Sequence, residues 1–157
     1  MKTILLLTGK TTDELVNQLI QQYVARLKFY MDFEIQVIPE IKNTKNLSEQ
    51  QQKQKEAELQ LKALEGADEV VLLDERGKSY RSVEFAEQIS RYQNAGRRKL
   101  VFVIGGPYGF APEVYRRATA QISLSAMTFS HQLVRVLFVE QLYRAMTILK
   151  GEPYHHE

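Results

Sequence analysis

The order of apolar and polar positions divides the chain into short continuous apolar runs separated by stretches of helical period. Thr3–Thr8 is unbroken in Ile and Leu, which predicts a strand covered on both faces. Thr12-Asp13-Glu14 opens a helix in which Leu15, Leu19, Tyr23 and Leu27 recur at helical spacing. Phe33–Pro39 alternates Phe33, Ile35 and Val37 with polar neighbours, the pattern of a half-exposed strand. Ser48–Leu64 is rich in Gln, Lys and Glu, and its start, Ser48-Glu49-Gln50-Gln51, resembles a capping box. Its charges balance, which predicts a solvated helix. Glu69–Asp74 reads as a third strand, Ser82–Asn94 as a helix stopped by Gly96, and Lys99–Ile104 as a continuously apolar fourth strand. Pro112 suits the first turn of a short helix through Arg117. Gln121–Ser125 gives a fifth strand. Ser130 then caps a long helix to Lys150, which Gly151 and Pro153 stop.

Strands alternating with helices imply βαβ units and a largely parallel sheet, so the expected fold class is α/β. With 157 residues and no repeat or linker, residues 1–157 are expected to form one domain. The composition, 44% hydrophobic and 25% charged, is that of a soluble globular protein and excludes disordered, collagenous and mucin-like chains. A net charge of +2 is too mild for a polybasic binder, so any nucleic-acid role must rest on a local patch or on shape. The absence of cysteine excludes disulfides, thiolate catalysis, Fe–S clusters and cysteine zinc sites. The apolar start, Ile4-Leu5-Leu6-Leu7, is too short for a signal peptide or a membrane span, and cytoplasmic residence is expected.

Ligands of an open parallel sheet bind outside the carboxyl ends of the strands. Three such ends carry unusual residues: Leu73-Asp74-Glu75-Arg76-Gly77-Lys78, Gly105-Gly106-Pro107-Tyr108-Gly109 and Ser123-Leu124-Ser125-Ala126-Met127-Thr128-Phe129. The glycines around Pro107 suit a wall pressed against a planar or ribosyl group, and they equally suit an ordinary turn. Neither Gly-x-Gly-x-x-Gly nor a P-loop occurs, so a phosphate-poor ligand fits better. The hydroxyl-rich third end suits either an adenine edge held by backbone hydrogen bonds or a simple lead into the helix.

The last helix carries apolar residues over nearly its whole circumference, from Leu133 to Leu149, which predicts burial against a partner. Glu140 and Arg144 read as an i,i+4 pair. His131 and Arg135 share one face and are placed to address a common polar ligand. The 3 histidines, His131, His155 and His156, lack the companions of a metal site, so no metal is expected. No Ser-His-Asp order or nucleophile elbow supports an acyl-transfer hydrolase. Arg97-Arg98-Lys99 and Arg116-Arg117 are basic clusters that a solvated rim explains.

These three ends, with His131-Gln132-Leu133-Val134-Arg135, Glu140-Gln141-Leu142-Tyr143-Arg144-Ala145 and Pro153-Tyr154-His155, resemble the RlmH family over the whole chain. Members are ribosomal RNA large-subunit pseudouridine N3-methyltransferases of the SPOUT class. The resemblance implies a SPOUT-type alpha/beta knot with a C-terminal trefoil knot, S-adenosylmethionine as co-substrate, and a homodimer in which two protomers complete each site. It implies cofactor contacts at Leu73, Gly105 and the run Leu124, Ser125, Ala126, Met127, Thr128 and Phe129. Catalysis is expected from His131 or Arg135 near the base, or from a tail residue of the other protomer, Tyr154 or His155. These tail residues are expected to reach a substrate pocket, that of the partner, and to order when RNA binds. The small net charge makes the assembled ribosome, with its 23S ribosomal RNA, the expected partner in place of naked RNA; no membrane is expected. The alternatives are a SPOUT methyltransferase acting on tRNA and a non-catalytic RNA- or nucleotide-binding module.

Overall fold

A computed structural model describes residues 1–156. Its elements are β1 (Lys2–Thr8), α1 (Glu14–Leu27), β2 (Asp32–Ile38), α2 (Glu49–Ala63), β3 (Glu69–Ser79), α3 (Ser82–Asn94), β4 (Lys99–Ile104), α4 (Pro112–Arg117), β5 (Ala120–Ser123) and α5 (His131–Leu149). Every strand pair is parallel, and the sheet order is β2-β1-β4-β3-β5. Right-handed crossovers then decide where the helices go. The steps β1 to β2 and β3 to β4 move one way along the sheet, whereas β2 to β3 and β4 to β5 move the other way. Helices α1 and α3 therefore share one face with each other, and α2 and α4 share the opposite face. α5 follows β5 and packs against both α1 and α3.

Two cores result, because neighbouring residues of a strand point to opposite faces. Leu5, Leu7 and Phe102 meet Ile20 and Leu27 of α1, Ile89 of α3, and Phe138 and Leu142 of α5. The Phe102 and Phe138 rings are 4.8 Å apart. On the other face Ile4, Leu6, Val70 and Val103 meet Ala57 and Leu64 beside α2 and Val114 of α4. The central position of β1 accounts for its unbroken apolar run: Leu5 and Leu6 are both buried.

Three local departures shape the later site. First, α2 has the expected capping box, with Gln51 N–H donating to Ser48 Oγ and Ser48 N–H to Gln51 Oε1. It is not solvated all round, however, since Glu56 and Gln60 are buried. A Cβ on Gly106 would collide with Glu56 Oε1, so the carboxyl sits directly under that glycine. Second, β3 runs past Asp74 to Ser79. It leaves β5 after Leu73, rejoins it at Lys78, and pairs with Ile122 at both points, so Asp74–Gly77 stand out as a wide bulge. A Cβ on Gly77 would lie 2.6 Å from the Ile122 nitrogen, so only glycine lets the bulge fold back onto β5. Third, β5 ends at Ser123, two residues earlier than expected. Ser123 Oγ donates to the Ser125 carbonyl and Met127 N–H donates to Ser125 Oγ, local bonds that compete with the ladder.

The basic clusters do structural work at the base of the sheet. Arg97 Nε is 2.8 Å from Glu69 Oε1. Arg117 donates to the carbonyls of Leu64 and Ala67. Among the described residues no helix is long and apolar enough to cross a membrane.

Burial pushes the Glu56 carboxyl up from the ordinary carboxylate range, with Gln52 opposing and Glu40 adding to the rise. Stability tied to its neutral form is intact below that range and is lost as the pH climbs through the raised value. Glu56→Gln, which stays neutral, should therefore match wild type at about pH 4 and exceed it at about pH 8 in thermal denaturation. A stability difference that is the same at both pH values would contradict the burial of a titrating carboxyl here.

Candidate functional site

Five parallel strands bring all their carboxyl ends to one edge of the sheet. There the ends of β3, β4 and β5 and the first turns of α5 enclose a pocket of about 430 Å³, within the range of small-molecule sites. Of the residues expected at a cofactor, Leu73, Gly105, Leu124, Ser125, Met127, Thr128 and Phe129 line it, and so does His131. Ala126 lies on the same loop, outside the lining. The three strand ends singled out in the sequence therefore form one cavity.

The pocket has two unlike halves. Leu73, Leu124, Phe129 and Val134 give one half apolar walls. The backbone of Leu124–Phe129 enters no strand or helix, and apart from the Ser125 carbonyl and the Met127 N–H, which bond within the loop, its polar groups lie along that wall outside any ladder. Gly105 and Gly106 line the pocket with backbone, and the direction a side chain would take from each is filled by protein. The Cβ direction of Gly105 meets the Phe110 ring at 2.9 Å, and that of Gly106 meets Glu56. Their small size fixes the depth of the floor.

The other half is charged, and spacing along the chain did not reveal it. Tyr115, on α4, donates a short hydrogen bond to Asp74 Oδ2, while Arg76 Nη2 donates to the Tyr115 hydroxyl at 2.7 Å. The Arg76 amide donates to Asp74 Oδ1 at 2.9 Å, and its guanidinium lies 5.6 Å over the Tyr115 ring. Burial alone would push the Asp74 carboxyl up, but the Tyr115 hydroxyl and the Arg76 amide and guanidinium hold it below its ordinary value. Burial and the Asp74 acceptor push the Tyr115 phenol up. Thr128 Oγ1 donates to Glu75 Oε2 at 3.3 Å, joining the bulge to the hydroxyl-rich loop. The acidic and basic residues of the bulge were visible in the sequence, but their partner Tyr115 lies some forty positions away.

Two groups of expected site residues sit otherwise than their spacing suggests. The Arg135 guanidinium turns inward, to the end of β1. The residue is 4% exposed, and its guanidinium donates to the carbonyls of Thr8 and Gly9 and to Thr11 Oγ1 at 2.9–3.0 Å. A buried cation beside strand-end carbonyls is drawn to them, so the side chain turns inward. Tyr154 and His155 dock on their own chain. The Tyr154 hydroxyl donates to Glu140 Oε1 at 3.0 Å, and His155 Nδ1 lies 3.1 Å from Arg144 Nη1. The i,i+4 pair of Glu140 and Arg144 forms at 2.5 Å and serves as the dock. At 1.5 Å of rise per residue, these anchors lie roughly 13 and 20 Å down the helix from His131, away from the chain's own pocket. Glu157, the last residue of the tail, lies outside the described residues. No cluster of three or more His, Asp or Glu side chains suited to a metal occurs among the described residues.

Comparison with known proteins gives the family of the chain. Residues 1–155 match the family described as predicted SPOUT methyltransferase. A ribosomal RNA large subunit methyltransferase H from Phocaeicola vulgatus is 59% identical over 157 residues, covering 100% of both chains. The protein of the same name from Bacteroides thetaiotaomicron is 57% identical, again over 100% of both. A solved methylase-family structure from Haemophilus influenzae Rd KW20 superposes with a TM-score of 0.56 at 12% identity. It covers 95% of this chain and 66% of its own, a likeness of fold alone.

Tyr115→Phe removes the hydroxyl that links Asp74 to Arg76. The Asp74 titration, followed by carboxyl carbon NMR, should move up in pH, and the fold should lose about 1 kcal/mol. An unchanged Asp74 midpoint would show that Tyr115 does not hold the carboxylate.

Proposed function

The chain belongs to the SPOUT methyltransferase family, and from that premise we propose that it transfers the methyl group of S-adenosylmethionine to N3 of a pseudouridine in large-subunit ribosomal RNA. The observation that carries the reading is the single pocket built from three strand ends, with an apolar, backbone-lined half and a charged half. The full-length similarity to proteins named ribosomal RNA large subunit methyltransferase H supports the substrate. Residues 1–157 act as one catalytic domain, in the cytoplasm where ribosomes are.

The donor set fits the co-substrate. Leu73, Leu124 and Phe129 offer apolar surface to a planar base, the unladdered backbone of Leu124–Phe129 offers its edge hydrogen bonds, and the Gly105 floor leaves room for a sugar. Ala126 contributes through the backbone of that loop. Bound S-adenosylmethionine supplies a methyl carbon made electrophilic by its sulfonium. The chain's task is then to orient the acceptor in line with that carbon and to favour the anion left when the imide N3 loses its proton. His131, exposed at the pocket lip, is the side chain of this protomer placed to meet that proton. Arg135 works at one remove, by fixing the first turns of α5.

A second copy of the chain completes the site. The N–H groups of Thr12 and Asp13 both donate to Gln132 Oε1, which brings the starts of α1 and α5 to one corner. Leu15, Met127 and Leu133 at that corner are 78%, 76% and 44% exposed, a surface that a homodimer would cover. The docked tail, remote from its own pocket, would present Tyr154 and His155 to the partner's. The C-terminal trefoil knot belongs to the same reading, supported by the inward position of α5 against α1 and α3.

Two experiments test this function. Purified protein given methyl-labelled S-adenosylmethionine should label large ribosomal subunits and not bulk tRNA, with activity unaffected by EDTA and lost in Gly105→Arg. Label on tRNA alone, or on neither, would overturn the reading. Truncation after Glu152 should leave S-adenosylmethionine binding and dimer mass intact while methyl transfer falls at least about tenfold, roughly 1.4 kcal/mol of transition-state stabilisation. Unaltered turnover would remove the tail from the chemistry.

A further inference from the structure

The bulge of β3 has no role in holding the sheet together: the strand pairs with Ile122 before it and with the same residue after it. Removing the excursion would leave the ladder continuous. What the bulge does achieve is to carry Arg76 out beside the pocket mouth, next to Lys78 where the strand rejoins β5, each cation set over a tyrosine ring. The Arg76 guanidinium lies 5.6 Å over Tyr115 and the Lys78 ammonium 4.8 Å over Tyr80. Arg76 is also tied to Asp74 and Tyr115, yet its side chain is 75% exposed, so three of its five N–H donors remain for solvent or a ligand beyond its bonds to that pair. Ordering a long cationic side chain at the surface costs rotamer entropy, and a protein that has already ordered it binds an anion with that cost removed.

The bulge also bounds a second depression. Arg76, Gly77 and Lys78 on one side and Ala118–Gln121 on the other line an open groove of about 320 Å³. Arg76 lines this groove and the main pocket alike, so its side chain stands between the two. The groove is open and shallow, runs along the edge strand β5, and contains no carboxylate in its lining. A base seated in the pocket must have a phosphate on each side, and this groove is where a neighbouring phosphate meets preordered positive charge.

We propose that the β3 bulge is a phosphate clamp: Arg76 and Lys78 grip the RNA backbone beside the target nucleotide, and the groove along β5 receives the adjoining strand. The inference rests on the methyltransferase reading, since it takes the pocket as the place where the target base is held. Arg76 and Lys78 are positioning residues for the RNA and do not touch the reacting atoms.

The test compares wild type with Lys78→Gln and with Arg76→Gln/Lys78→Gln. Binding of large ribosomal subunits is followed by cosedimentation across a salt series, and methyl transfer is measured on the same subunits. The double variant should bind about tenfold more weakly at low salt. Its log–log salt slope should fall by about two, one for each phosphate that is no longer neutralised. KM for subunits should rise in both variants, and in Lys78→Gln, whose side chain lies outside the main pocket, kcat at saturation and the S-adenosylmethionine affinity by calorimetry should stay unchanged. Lys78→Gln, altered only at an exposed side chain, should show about half the change in slope and guards against misfolding of the double variant. Unchanged binding and slope in both variants would overturn the clamp, as would a loss confined to S-adenosylmethionine affinity. If wild type binds subunits with this salt slope but transfers no methyl group, the methyltransferase reading fails while the clamp stands.

Discussion

The guanidinium of Arg135 reaches from the second turn of α5 to the carbonyls of Thr8 and Gly9 at the end of β1, and the geometry of the site depends on that tie. These carbonyls belong to the last residue of β1 and the residue after it, where the ladder ends. Charge-assisted bonds of this kind are the strong ones, and losing the cation would strand several acceptors at once. The tie also fixes where α5 begins. Since the loop from Leu124 to Phe129 must span from the end of β5 to that point, its path across the edge of the sheet is settled as well. Gln132 adds a second bond between the same two regions, through Thr12 and Asp13.

With α5 anchored, the rest of the site follows from the sheet. Parallel strands place β3, β4 and β5 side by side with their ends at one edge, and each end solves a different local problem. β3 bulges because Gly77 can lie against the β5 backbone, β4 stops in glycines that accommodate Phe110 and Glu56, and β5 is ended by its own serine hydroxyls. The cavity between them inherits their chemistry. Its apolar side comes from residues at the sheet edge, and its charged side comes from a bulge that a β-ladder does not constrain. That separation gives one pocket an apolar wall and a charged wall.

Much of this was legible in the sequence, and the exceptions have physical causes. Helices with clear stops, such as Ser82–Asn94 and Pro112–Arg117, are found where their caps and glycines put them. The three strand ends were recognisable because glycine, serine and charged residues interrupt apolar runs there. The extension of β3 to Ser79 was not legible, since Glu75-Arg76-Gly77-Lys78 has no strand pattern and pairs only through a register shift. Glu56 was hidden among balanced charges on α2, because a period of alternating Lys and Glu does not reveal which carboxyl a distant glycine will admit. The inward turn of Arg135 and the docking of Tyr154 and His155 on Glu140 and Arg144 depend on contacts more than ten residues apart, which local spacing does not encode.

The central claim is that the pocket between the ends of β3, β4 and β5 receives the adenosyl group of the co-substrate. Backbone amide NMR during titration with S-adenosylhomocysteine tests it without requiring turnover or RNA. Shifts should concentrate at Leu73, at Gly105 and along Leu124–Phe129, and amides at the opposite edge of the sheet, such as Tyr30, Met31 and Arg98, should stay still. Shifts centred on that opposite edge, around the groove formed by Met1, Tyr30 and Arg97, would contradict it.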